Sequence, residues 1–152
     1  GNAGSDVGVL ALKVKEAVCD AVGNLFHLGG WGGDPRSVFV REGRTADESA
    51  VYDYVRMLLT WRKRTPVVQY GKLKHFKPQD GIYVYFRYDD SACVMVVVNA
   101  NDADKVLDTQ RFNEMLSSYH SGLNVETGEA YGQLDKISLK RKSTQIIELR
   151  KH

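Results

Sequence analysis

Apolar residues recur at spacings of three and four near the start of the chain. Leu10, Val14, Ala17, Val18, Ala21, Val22 and Leu25 fall on one face of a predicted helix, with Gly23-Asn24 as its stop signal. Periodicity then vanishes from Phe26 to Arg44. Gly29-Gly30-Trp31-Gly32-Gly33-Asp34-Pro35 joins four glycines to an Asp-Pro step, which predicts a long shaped loop. A second helical pattern follows, opened by Thr45-Ala46-Asp47-Glu48. This is a capping box, in which the Thr hydroxyl and the Glu carboxylate satisfy each other's end of the helix backbone. Val51, Tyr54, Val55, Leu58 and Leu59 form its apolar stripe. Arg62-Lys63-Arg64 suits the negative end of the helix dipole, and Pro66 forbids continuation.

Beyond Pro66 the pattern changes to one of strands. Val67-Val68-Gln69-Tyr70 predicts a short strand, and Ile82–Tyr88, almost wholly β-branched or aromatic, predicts a strong one. Gln79-Asp80-Gly81 and Asp89-Asp90-Ser91 are turn chemistry on either side of it. Cys93-Val94-Met95-Val96-Val97-Val98 is apolar on both faces, as a central strand covered on both sides would be, and it should pair with Ile82–Tyr88. Arg111 to Tyr119 predicts a short helix carrying Phe112, Met115, Leu116 and Tyr119. Weak alternation follows over Leu123–Glu126, Ile137–Leu139 and Thr144–Leu149, with Thr127-Gly128-Glu129 as a turn and Lys140-Arg141-Lys142-Ser143 as a last hairpin loop. The fold class is therefore α+β: two N-terminal helices joined by a Gly-rich loop, then an antiparallel domain of about six to eight strands. The expected division is 1–65, helical, and 66–152, β.

Composition narrows the function classes. Over 152 residues, 43% hydrophobic and 26% charged residues are ordinary for a globular protein. A net charge of +2 gives no reason to expect nucleic acid or a membrane surface as a partner. No stretch approaches the roughly 20 apolar residues of a membrane span. Lys13, Lys15, Glu16 and Asp20 interrupt the run from Val7 to Val22, so it is not read as a signal peptide, and Gly1 in place of Met is not a raw translation start. Cys19 and Cys93, far apart in apolar surroundings, read as buried thiols, with a disulfide as the alternative in an exported protein.

Few of the residue patterns that carry chemistry occur in the chain. The glycine loop matches neither the dinucleotide fingerprint nor the phosphate loop, and no Gly-x-Ser-x-Gly elbow occurs. Asn99-Ala100-Asn101-Asp102 resembles the opening of a calcium loop, but Asp104 and Gln110 stand where Gly and Glu are needed. The histidines at 27, 75, 120 and 152 have no ligand spacing, so neither metal nor cofactor is expected. Asp47, Glu48 and Asp53 read as helix cap and solvated face rather than as a catalytic pair. The basic runs Arg62–Arg64, Lys72–Lys77 and Lys140–Lys142 read as a helix terminus and as solvated sheet edges, where lysines also deter edge-to-edge pairing. Tyr83 and Tyr85 lie on the face of their strand opposite Val84 and Phe86. They read first as packing surface and second as a carbohydrate platform. Trp31, flanked by glycines, reads as a ligand contact or a domain interface.

Several segments in order resemble the α-amylase family (glycoside hydrolase family 13) on its neopullulanase and cyclomaltodextrinase side. They are Gly29–Asp34 with Phe39, Gly43-Arg44-Thr45, Tyr54-Val55-Arg56, Leu58–Lys63, Pro66–Lys72, Asp80–Tyr88 and Val94–Asn99. The resemblance covers roughly Gly29 to Leu149. It implies that Gly29–Arg44 is the loop after the last barrel strand, with Trp31 and Asp34 on the substrate side. It implies that Thr45–Arg64 is the last barrel helix, and that Pro66 onward is the C-terminal domain, usually a Greek-key sandwich packed on the barrel. A complete barrel needs about 250 residues and does not fit ahead of Gly29. No residue here matches the family's catalytic carboxylates, and His27 and Leu28 depart from its usual Phe and Pro.

The function expected from the resemblance is a non-catalytic accessory domain of an enzyme acting on α-glucans, bracing a catalytic barrel that this chain lacks. The alternative is a carbohydrate-binding module using Trp31, Tyr83 and Tyr85. The expected partners are that barrel and an α-glucan; the Leu10–Leu25 helix is expected to cover the Val51/Val55/Leu58/Leu59 stripe, with a second copy of the chain through that stripe as the alternative. The family's range places such a protein in the bacterial periplasm or cytoplasm.

Overall fold

The structure, a computed structural model, describes residues 45–151. The predicted helix over Leu10–Leu25, the Gly-rich loop with Trp31 and Asp34, and Cys19 lie outside the described residues. Two compact units divide the described chain, one ending at Trp61 and the other beginning at Arg62.

Helix α1 spans Ala46–Lys63. Its entry is the capping box read from the sequence: Thr45 N donates to Glu48 Oε2 at 2.8 Å, and Glu48 N donates to Thr45 Oγ1 at 3.2 Å. Asp47 and Glu48 sit in the first turn and Arg62 and Lys63 in the last, each sign at the end the dipole favours. Burial does not follow the predicted stripe. Val51 and Leu58 are half-buried while Tyr54, Val55 and Leu59 are exposed, and the buried aromatic is Trp61.

The expected strand at Val67–Tyr70 is instead a one-turn helix, α2, Pro66–Tyr70. Pro66 stands at the helix start, where its fixed φ fits and no N–H is missed. Gln69 supplies the second reason. Its Nε2 donates to the carbonyls of Arg62 at 2.8 Å and Lys63 at 3.3 Å, capping the end of α1, where Arg62 O also accepts from Thr65 N at 3.2 Å. An extended Val67–Tyr70 would give up that capping.

Eight strands follow in two sheets. The large sheet has the order β1-β2-β3-β8-β5-β6, from Lys72–His75, Ile82–Tyr88, Cys93–Asn99, Ser143–Arg150, Ser121–Asn124 and Ala130–Tyr131 respectively. The small sheet pairs β4 (Lys105–Asp108) with β7 (Lys136–Leu139). All pairings are antiparallel, and β8 enters between β3 and β5, the crossover of a Greek-key arrangement. A 3₁₀ turn, Gln110–Phe112, runs into a short helix α3, Asn113–Leu116, where the sequence predicts a single helix. Ile82–Tyr88 and Cys93–Asn99 pair as expected, Val84 opposite Val97 and Phe86 opposite Met95.

The core lies between the sheets. Phe86, Met95, Val97 and Ile147 of the large sheet meet Ile137 and Leu139 of the small one, with Phe112, Leu116 and Leu134 closing the ends. Phe76 stacks edge-on against Phe112, centroids 4.8 Å apart.

The turn read as the last hairpin loop has a different role. β7 pairs with β4 rather than with β8, so Lys140–Lys142 carries the chain from one sheet to the other. Asn99 pins this crossing. Its Nδ2 donates to the Lys140 carbonyl at 2.8 Å and to the Ala103 carbonyl at 3.1 Å, while its Oδ1 accepts from Asn101 N at 3.0 Å. The residue that opened the rejected calcium loop is thus a buried structural asparagine. Three lysines of these runs lie in surface ion pairs: Lys74 with Glu114 at 3.2 Å, Lys140 with Asp104 at 3.0 Å and Lys142 with Asp102 at 2.9 Å. β1, with its lysines, forms one edge of the large sheet.

Candidate functional site

The large sheet is apolar on both faces. Along β3, Cys93, Met95 and Val97 belong to the core between the sheets, while the alternate residues Val94 and Val96 are buried without belonging to it. The strand period of two puts Val94, Val96 and Val98 on the outer face. The register sets Tyr83 beside Val98, Tyr85 beside Val96 and Arg87 beside Val94, with Ile146 of β8 on the other flank of Val96. β-Branched and aromatic side chains therefore cover most of the outer face.

Tyr83 and Tyr85 are brought together there, ring centroids 5.7 Å apart and planes inclined by 37°. Both are half-buried, and desolvation raises the pKa of each phenol above its usual 10.0. The next side chain on this row, Arg87, donates through Nη2 to the Gln69 carbonyl at 3.4 Å, and so meets α2 at one end of the face. Its Nε is buried without a hydrogen-bond partner. The rings can stack on an apolar surface, whether protein or sugar.

Two clefts open on the other layer. One, of about 560 Å³, lies between α3 and the β6–β7 connection, with Asp108, Asn113, Tyr119, Gln133 and Asp135 among its lining residues. The other, of about 510 Å³, is lined by Phe76, Ile82, Val106 and Phe112 and bounded by Lys77 and Arg111. Asp108 and Gln110 border both. Sequence reading singled out neither, because the lining side chains come from loops and strand ends far apart along the chain.

Cys93 is a buried free thiol on the core face. Burial pushes its pKa up to about 11, against a smaller lowering by the hydrogen bond with Tyr119. It is thus unsuited to nucleophilic work. Among the described residues, no group of three or more His, Cys, Asp or Glu is placed to hold a metal ion, and no helix is long and apolar enough to cross a membrane. Trp31 and Asp34 lie outside the described residues.

Residues 73–148 match the family described as the cyclo-malto-dextrinase C-terminal domain. Among solved structures, an AmyP variant in complex with maltotriose superposes with a TM-score of 0.62 at 15% identity, over 74% of this chain and 22% of that one. The α-amylase of Geobacillus thermoleovorans complexed with acarbose gives 0.60 at 19% identity, over 81% and 27%. An Anoxybacillus α-amylase gives 0.58 at 22% identity, over 82% and 26%. These likenesses establish the fold, and the chain spans about a quarter of the length of these proteins.

Proposed function

The chain belongs to the cyclo-malto-dextrinase C-terminal domain family, a C-terminal region of α-amylase-type (glycoside hydrolase family 13) proteins, and from that premise we propose that it is a non-catalytic accessory domain. Its role in this reading is to brace a catalytic barrel acting on α-glucans, with residues 1–65 as a helical remnant made of the last barrel loop and helix plus an unassigned N-terminal helix, and 66–152 as the accessory domain proper. The outer face of the large sheet carries the proposal. A sheet apolar on one face needs one covering layer, and a sheet apolar on both needs two. The small sheet and α3 provide the first; on the other face Val94 and Val96 are already buried, and the half-buried Val98, Ile146 and Tyr83/Tyr85 pair are what a second layer would cover. A barrel's outer helices would supply it.

The test has two arms. The natural polypeptide, detected in its source cells with an antibody to this chain, should be longer by at least a barrel's roughly 250 residues. That barrel, expressed without the β-domain, should melt earlier and be restored by adding the chain in trans. A natural product of this chain's own size, with no glycoside hydrolase bound to it, would sink the reading.

A second reading, a module that binds starch-type oligosaccharides, draws support from the 5.7 Å spacing and tilt of Tyr83 and Tyr85. The pair shares its face with Val94 and Val96, so on that surface sugar binding and barrel docking compete.

A further inference from the structure

We propose that the free edge of β4 binds an extended peptide of a partner protein. The peptide adds an antiparallel third strand to the small sheet and seats alternate apolar side chains, with one acidic residue, in the cleft beside β4. Strand register and charge carry this assignment, independently of the accessory-domain reading.

The small sheet holds only β4 and β7, so one side of β4 has no strand beside it. Register and one hydrogen bond tell which backbone groups face that side. Thr109 N donates at 3.0 Å to the carbonyl of Asp135, its opposite number when the β4–β7 register is continued, which marks a hydrogen-bonded pair. Bonded and non-bonded pairs alternate along an antiparallel ladder. Leu107 and Lys105 are therefore bonded to β7, whereas Val106 and Asp108 turn their N–H and C=O groups away from it. Ser138, opposite Val106, agrees, because its carbonyl accepts from Gln145 Nε2 at 2.9 Å. Two residues of β4 thus present the donor and acceptor pattern that an added strand pairs with.

The cleft of about 510 Å³ runs along this edge, for all four residues of β4 border it and none of β7 does. Phe76, Ile82 and Leu107, partly buried at the margin of the core, form its accessible apolar wall. A strand laid on β4 would set every second side chain over that wall. Three cations, Lys77, Lys105 and Arg111, line the cleft against two carboxylates, Asp80 and Asp108. The Asp108 carboxylate accepts from Gln110 N at 2.9 Å, while Lys77 and Lys105 make no ion pair among the described residues. An acidic residue directly across from Lys105 is therefore favoured. A second copy of β4 fits worse. Pairing centred on Val106 sets Asp104 of one copy against Asp108 of the other, and pairing centred on Asp108 sets the two Asp108 together. Pairing centred on Leu107 leaves Lys105 across from Thr109, which is buried.

Amide hydrogen exchange reads the edge first. The N–H groups of Val106 and Asp108 should exchange at least about tenfold faster than those of Lys105 and Leu107. The binding probe is the peptide acetyl-Val-Thr-Val-Thr-Glu-Thr-amide, titrated into the chain and followed by amide chemical shifts. Antiparallel to β4, it sets its second Val across from Leu107 and its Glu across from Lys105, and saturable shifts are expected at Val106, Asp108 and Ile82. N-methylation of its first two threonines, whose N–H groups face β4, should weaken binding at least about tenfold, whereas N-methylation of its second valine should not. A probe with Lys in place of Glu should bind about fivefold more weakly. Val106→Pro removes an N–H that β7 does not use, so the chain should keep its Tm and lose the probe. Lys105→Glu, at an exposed position, gives a second variant and should reverse the preference between the Glu and Lys probes. Slow exchange at Val106 and Asp108, absence of binding at millimolar probe, or equal binding of the two methylated probes would each overturn the proposal. So would shifts at Val106 that follow chain concentration rather than probe, the mark of a second copy on the edge.

Discussion

The Asn99 side chain donates to the Lys140 carbonyl at 2.8 Å, tying the last residue of β3 to the turn that delivers β8. One buried amide thereby fixes the passage between the two sheets. Asn99→Ala should cost about 1–3 kcal/mol, because it removes a buried amide that bonds the carbonyls of Ala103 and Lys140 and the Asn101 N–H, leaving Ser143 Oγ as the remaining partner of the Lys140 carbonyl. Urea unfolding measures the loss. A change below about 0.5 kcal/mol, the size of an ordinary surface substitution, would mean that the crossing is held by other bonds.

The two faces of β3 should respond differently to truncation and both badly to charge. Met95→Ala, at a site with 0% exposure, should cost about 2–5 kcal/mol as a cavity in the sandwich core. Val96→Asp, at 7% exposure on the outer face, should unfold the domain or force its carboxyl neutral, since an unpaired buried charge costs several kcal/mol. Thermal melts read both. An unchanged Tm for Val96→Asp would place the strand elsewhere.

Alkaline pH should weaken the fold. The Cys93 thiol is raised by burial from 9.0 to about 11, and burial also raises Tyr83, Tyr85, Tyr119 and Tyr131. A raised folded-state pKa means that the unfolded chain loses its proton first. For Cys93 the stabilisation is therefore complete below pH 9 and lost as pH climbs through about 11. Denaturant midpoints should fall over that window and fall less in Cys93→Ala, the tyrosines accounting for the remainder. At pH 8 the thiol should resist a disulfide reagent until the chain is unfolded.

Much of this architecture is legible in the sequence. Ile82–Tyr88 and Cys93–Val98 declare themselves because β-branched and aromatic residues run unbroken between turns, and Thr45–Glu48 because a capping box is a local, four-residue device. The failures share a cause. Val67–Tyr70 has strand-like residues, yet its backbone is decided by Pro66 before it and by the reach of Gln69 to Arg62. Lys105–Asp108 passes unnoticed as a strand, for it is four residues long and half charged. Alternation over Ile137–Leu139 and Thr144–Leu149 is the same whether the two strands pair with each other or separate into different sheets. The clefts are less legible still, since nothing in the order of residues brings Asp108 to Gln133.

Self-association should be measurable. Tyr54, Val55 and Leu59 of α1 are 45%, 37% and 53% exposed, apolar surface that a second copy would cover by the same stripe. We propose a dimer through Val51, Val55, Leu58 and Leu59 in the absence of a barrel. Sedimentation equilibrium should show it, and Leu59→Lys should shift it to monomer. A parent chain that stays monomeric at tens of micromolar would refute this interface.

The position of β8 has a consequence for synthesis. Its residues pair with β3 from Cys93 to Asn99 and with β5 from Ser121 to Asn124, so neither half of the large sheet can meet the other before residues 143–150 leave the ribosome. At about 5–20 residues per second, the nascent chain carries the naked edge of Cys93–Asn99 for several seconds. That edge is the most apolar strand of the domain, and only its β2 side is occupied in the interval. A translational pause placed between residues 100 and 140 would lengthen this exposure, making the interval a point of vulnerability to aggregation and a natural station for a chaperone.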